Sequence, residues 1–88
     1  MTWRVEFTEE AEKQFLKLDK YTQRVVAAWI DKHLAGTENP RATGKPLTAN
    51  RKGQWRYRIG DYRMLCRIED DRIVIVVIAI GHRREVYG

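Results

Sequence analysis

The sequence predicts an α+β domain of order β-α-α-β-β-β, an antiparallel sheet with a helical hairpin on one face. Three observations carry that prediction. Residues 73–80 (IVIVVIAI) are eight consecutive apolar residues, mostly β-branched, held between Asp70-Asp71 and Gly81. A run that short and that branched favours a strand, and being apolar at both parities it is covered on both faces, as a central strand is. Residues 54–59 and 62–68 alternate apolar and polar, which reads as two half-buried strands. Between residues 9 and 34 the apolar positions recur instead every three or four residues, the helical spacing.

The chain opens with TWRVEF, in which Trp3, Val5 and Phe7 point one way and Thr2, Arg4 and Glu6 the other. Thr8 is a good N-cap, and Glu9, Glu10 and Glu12 suit the first turn of a helix, where carboxylates meet the positive end of the dipole. Ala11, Phe15 and Leu18 continue it, which predicts a helix over residues 9–18. Asp19 caps a second helix whose stripe is Val25, Val26, Trp29, Ile30, His33 and Leu34, and Gly36 can end it in the left-handed conformation. His33 reads as a packed or capping histidine, since no second ligand lies at metal spacing. Residues 35–53 hold both prolines and three of the six glycines, a long loop around one anchor, Leu47. Arg41, Lys45, Arg51 and Lys52 make it basic, fit either to touch a polyanion backbone or simply to lead back to the sheet. In 54–59, Trp55, Tyr57 and Ile59 share a face opposite Gln54, Arg56 and Arg58. Gly60-Asp61 is a tight turn, and in 62–68 Tyr62, Met64, Cys66 and Ile68 oppose Arg63, Leu65 and Arg67. Glu69-Asp70-Asp71 turns into the central strand.

At 88 residues, the chain reads as one domain, 1–88. It is 43% hydrophobic, enough for a core. A single cysteine excludes an internal disulfide and any thiolate metal site. With no apolar leader and no stretch approaching the ~18 apolar residues of a membrane span, the expectation is a soluble, cytoplasmic protein. The net charge is +5, unevenly placed: residues 1–40 carry 6 Lys+Arg against 7 Asp+Glu, residues 41–88 carry 11 against 5. The excess sits with the strands, which suggests a polyanion partner, nucleic acid first. A basic solvated face is the plain alternative.

Arg56 and Arg58 share a face of one strand, Arg63 lies on its neighbour, and Arg83 and Tyr87 follow the last strand. Guanidiniums converging on one groove repel one another without an anion. Their planar fork can hold two phosphate oxygens, and cationic clamps stabilise the charge of a phosphoryl-transfer transition state. Each arginine alone reads as a solvated strand residue; only their convergence points to a ligand. Tyr87 can pack as a terminal anchor or stack on a base. Trp55 and Tyr57 lie opposite the arginines and belong to the core, as does the Cys66 thiol. His82 is a candidate acid or base, or a surface residue beside Gly81.

Three stretches, WRVEFTEEAEKQFLKLDK, GKPLTANRKGQWRYRIGDYRMLCRIEDD and GHRREVYG, cover nearly the whole chain. Together they resemble the RelE toxins of the RelE/ParE superfamily, the toxic halves of type II toxin–antitoxin pairs. The combination of YRIGDYR with GHRREVY carries the resemblance. It implies a microbial-RNase-like sheet that enters the 30S A site of the ribosome and cuts the mRNA codon there, without metal or cofactor. The 2′-hydroxyl attacks the adjacent phosphate and leaves a 2′,3′-cyclic phosphate. By the same resemblance Arg63 would stabilise the pentacovalent phosphate, Arg83 would assist the leaving oxygen, and Tyr87 would orient or deprotonate the 2′-hydroxyl. Arg56 and Arg58 fall where the best-studied branch has two lysines. Arginine is a poor base, so the base is Tyr87 or His82, or positioning and charge suffice. Lys45, Arg51, Lys52, His82 and Arg84 are the expected RNA contacts. A RelB-like antitoxin would cover the basic site, and operator DNA would be bound only through that complex. Two other readings stand beside this one: a ParE-like inhibitor of DNA gyrase, and a catalytically silent basic module.

Overall fold

The computed structural model describes residues 2–47 and 53–84. Local chemistry sets its first elements as expected. β1, Arg4–Phe7, leads into α1, Glu9–Leu16, through Thr8, whose Oγ1 accepts the Ala11 N–H at 3.1 Å. α2, Lys20–His33, starts at Asp19, whose carboxylate accepts the Thr22 N–H at 3.2 Å. Between them α1 stops two residues before the predicted end. The corner is closed by the Gln23 side-chain amide, which donates to the Leu18 carbonyl at 2.9 Å. Gly36, at φ +76°, lets the chain leave α2 in the left-handed region.

Four strands follow: β2, Lys45–Pro46; β3, Gln54–Ile59; β4, Tyr62–Glu69; and β5, Val74–His82. The sheet order is β1-β5-β4-β3-β2. The α+β class, the helical hairpin and the β3-β4-β5 meander stand as the sequence predicts. Two features differ. β1 runs parallel to β5, with Val5 opposite Ile75, so the sheet is mixed rather than wholly antiparallel. No hairpin dictates the direction of that pairing, because both helices intervene between the two strands. β2, which the sequence leaves inside a loop, pairs antiparallel with β3 at its edge. Ile73, just before β5, takes φ 55°, an unfavourable conformation for a β-branched residue.

The core lies between the helices and one face of the sheet, where Val26 and Leu34 meet Tyr57, Met64, Ile75 and Val77. All six are fully buried, and each side chain of this size contributes about 1.5–3 kcal/mol. The α2 stripe is narrower than its spacing suggests: Val25 is 40% exposed and His33 is exposed, its ring 4.7 Å from that of Trp29. On the other sheet face Leu47 and Leu65 form a second, small cluster with Ile78 and Ala79. Leu65 pairs with Ala79 and Cys66 with Val77, so Ile78 is an extra residue, a β-bulge. That bulge reverses the parity of β5 beyond it. No helix among the described residues is long and apolar enough to cross a membrane.

Candidate functional site

The alternation of β3 and β4 carries the charge pattern directly into space. Tyr57 and Met64 are spent on the core, so Arg56, Arg58 and Arg63 stand on the opposite face. Arg58 is paired with Arg63, and Lys45 of β2 with Arg56. These four cations, with Thr43 and Gly44, line one cleft of about 250 Å³. None of the ion pairs found among the described residues includes any of the four. Like charges directly opposite on neighbouring strands are destabilising. The cleft's chemistry therefore suits an anion, and a phosphate would relieve the repulsion that the fold imposes.

The 37–44 segment, whose last two residues line this cleft, is tied down by side chains from other elements. The Tyr57 hydroxyl donates to the Pro40 carbonyl at 2.6 Å, and burial pushes that phenol well above its ordinary value. The Trp55 indole N–H donates to the Thr43 carbonyl at 2.7 Å. Gly44, at φ +84°, lies so close to β3 that a Cβ there would stand 2.5 Å from the Arg56 carbonyl oxygen. Arg41, expected to add to the basic loop, is instead forked onto Asp70 at 3.0 and 2.8 Å. That guanidinium holds the Asp70 carboxyl below its ordinary range.

The strand-end residues divide between the two faces. Arg83 is exposed, and its backbone N–H donates to the Asp61 carbonyl at 2.8 Å, extending the β4-β5 ladder by one residue. By register it falls on the arginine side, beyond the cleft lining. Arg84 is exposed too, and its N–H donates to His82 Nδ1 at 3.3 Å. His82 itself stands on the helix side, its ring edge-on to Tyr62 at 5.6 Å, in a concavity it shares with Gln14, Lys17 and Leu18. The Ile78 bulge accounts for this split: with regular alternation from Val77, His82 would face the arginines and Arg83 the helices. Tyr87, Arg51 and Lys52 lie outside the described residues. Cys66 is buried and its thiol pushed up by that burial, the state of an inert packing residue.

Of the predicted set, then, Lys45, Arg56, Arg58 and Arg63 come together, Arg83 and Arg84 lie beyond the strand end, and His82 is turned away. Sequence reasoning missed Thr43 and Gly44. One signal was available: Pro46 beside Lys45 suits an edge strand, where no inward N–H is needed. A larger concavity of about 610 Å³ lies against the helices, lined by Phe7, Phe15, Leu16, Ala27 and Ile30 with Glu12 and Asp31. Among the described residues its charged groups are carboxylates, which suit no phosphate chemistry. Among the described residues no three His, Cys, Asp or Glu side chains gather as metal ligands would.

Residues 5–87 match the family described as ParE toxin of type II toxin-antitoxin system, parDE. The chain is 32% identical over 88 residues to Toxin RelG of Mycobacterium tuberculosis, covering 99% of this chain and 98% of that protein. Among solved structures it is similar to a chain of the RelBE2 toxin–antitoxin complex of Mycobacterium tuberculosis. There the TM-score is 0.83 at 30% identity, over 94% of this chain and 93% of that one. The isolated RelE toxin of E. coli aligns with a TM-score of 0.75 at 22% identity, over 91% of this chain and 83% of that one. At that identity the likeness speaks to fold alone.

Proposed function

The chain belongs to the ParE toxin family within the RelE/ParE superfamily of type II toxin–antitoxin toxins, and from that premise we propose that it is a ribosome-dependent mRNA endoribonuclease. The observation that carries the reading is the convergence of Lys45, Arg56, Arg58 and Arg63 in one cleft, with no carboxylate among the described residues paired to them. In the proposed reaction the 2′-oxygen of one nucleotide attacks the adjacent phosphorus as its proton is removed. The P–O5′ bond breaks, and the departing 5′-oxygen takes up a proton, leaving a 2′,3′-cyclic phosphate. Arg63 and its neighbours Arg56 and Arg58 hold the equatorial oxygens, whose charge grows in the transition state. Arg83, one residue past β5 on the same side, is assigned to the leaving oxygen, and Tyr87 to the 2′-hydroxyl. His82 is a poor choice of base from its place behind the sheet. Among the described residues the cleft holds no strong base, and ordering of the codon falls to the 30S A site. A RelB-like antitoxin is the proposed partner that covers the cleft, and operator DNA would be met only through that complex.

Primer extension on a defined mRNA in a translating ribosome extract tests this. Cuts inside A-site codons are expected with the protein and not with Arg83→Ala, and none on naked RNA. Intact mRNA at inhibitory protein concentrations would overturn it. The second reading, gyrase inhibition, is favoured by the ParE family match. It predicts loss of supercoiling activity that Arg83→Ala spares.

A further inference from the structure

Three of the four cleft cations need no explanation of their placement. Arg56, Arg58 and Arg63 are fixed by the register of a regular hairpin. Lys45 is different. It belongs to a two-residue strand at the sheet edge, on a segment whose far side is anchored by the buried Leu47 against Leu65. Two residues of ladder do not hold an edge strand in place unaided. After Lys45, the Leu47 N–H donates to the Gln54 carbonyl at 3.2 Å and the Leu47 side chain packs on Leu65; before it, what presses the segment against β3 is the indole of Trp55 reaching the Thr43 carbonyl and the missing side chain of Gly44. The Tyr57–Pro40 bond and the Arg41–Asp70 fork hold the segment farther back. Trp55 grips the segment twice, since its backbone is paired with Pro46 and its side chain reaches across to Thr43.

We propose that Trp55 and Gly44 are positioning residues that set Lys45 as the fourth cation of the phosphate cleft. The inference rests on reading the cleft as the phosphate site, and it deepens that reading by separating a preformed arginine face from a cation delivered by a strapped segment. Trp55 lies outside the cleft lining, and Gly44 lines it without bringing a side chain to it. Trp55 acts through its N–H and Gly44 through the space it leaves.

A double-mutant cycle on the intact protein tests it, with inorganic pyrophosphate as the probe and binding followed by NMR of the arginine side chains. Lys45→Ala is expected to weaken binding roughly 5- to 10-fold in the wild-type background, the loss of one charge-assisted contact. In the Trp55→Phe background, which keeps an aromatic ring and removes the donor, the same substitution is expected to change affinity less than about twofold, because the lysine is no longer held. Arg63→Ala is expected to weaken binding equally in both backgrounds, since the β3-β4 hairpin holds Arg63 without the strap. A loss of fold would reduce both effects alike, so the contrast between Lys45 and Arg63 is what a merely structural role does not produce. Gly44→Ala is expected to repeat the Trp55→Phe pattern. Additive Trp55 and Lys45 effects, or no binding of pyrophosphate at the arginines, would overturn the proposal. Codon cleavage with an additive cycle would leave the nuclease reading intact and refute the positioning. A coupled cycle without any mRNA cleavage would do the reverse.

Discussion

The face of the sheet turned away from the helices carries arginines at both ends, and the two ends are built on opposite rules. At one end Lys45, Arg56, Arg58 and Arg63 share a cleft with no acidic partner among the described residues. At the other end every described arginine is matched. Arg67 and Arg72 both reach Glu69, at 2.7 and 2.6 Å, Arg72 extends to Glu6, Arg4 meets Glu6, and Arg41 forks onto Asp70. Leu65 and Ala79 lie between the two zones. The residue type is the same, and β4 carries one arginine of each kind, Arg63 and Arg67. What separates a structural ion network from a ligand site is whether the fold supplies the counter-charge. An exposed pair contributes little to stability, so the far end is ordinary surface. A convergent set with no partner among the described residues opposes folding, and a bound anion would offset that cost.

Making the cleft resemble the far end should abolish its function. Arg58→Glu gives Arg63 a cross-strand partner of opposite charge. Cleavage in the ribosome extract is expected to fall by about 10²–10³-fold or more, as when a transition-state donor is removed. Stability measured by chemical denaturation is expected to stay level or rise by up to about 1 kcal/mol. A loss of both activity and stability would mean that the arginines hold the sheet together.

A smaller effect belongs to the far end alone. Glu69 is held below its ordinary 4.5 by Arg67 first and then Arg72, and Asp70 below its ordinary 3.8 by Arg41. A carboxyl depressed in the folded state contributes stability that is complete above its unfolded pKa and is lost as pH falls through its folded one. Thermal stability is therefore expected to be flat from neutral pH down to about pH 5 and to decline below about pH 4. Glu69→Gln should soften that decline, and Arg63→Gln should leave it unchanged. An acid limb that responds to Arg63 would show an ion pair at the cleft end.

Much of this contrast is legible in the sequence, and the missing parts have definite causes. Alternation places Arg56, Arg58 and Arg63 on the face opposite Tyr57 and Met64, since a period of two survives intact in a regular hairpin. Thr8 and Asp19 announce the helix starts because capping is local. Arg41 looks, from its neighbours, like a cation free to touch nucleic acid. Its partner Asp70 is 29 residues away, a separation that no spacing rule spans. Regular alternation along the last strand would group His82 with the arginines, and the one extra residue at Ile78 turns it to the other face. β2 shows no period in its two residues, and Pro46, which suits an edge strand, is its one sign. The direction of β1 is open because nothing local couples it to β5.

The most direct measurement sets two residues of one strand side by side. Arg63 and Arg67 lie four apart on β4, on the same face, one in the cleft and one bound to Glu69. Arg63→Ala and Arg67→Ala would be compared with the wild type by primer extension in the same translating extract. The expected result is loss of A-site cleavage for Arg63→Ala and wild-type cleavage for Arg67→Ala. Equal activity of the two variants, whether both are active or both silent, would contradict the assignment of the cleft as the site of chemistry.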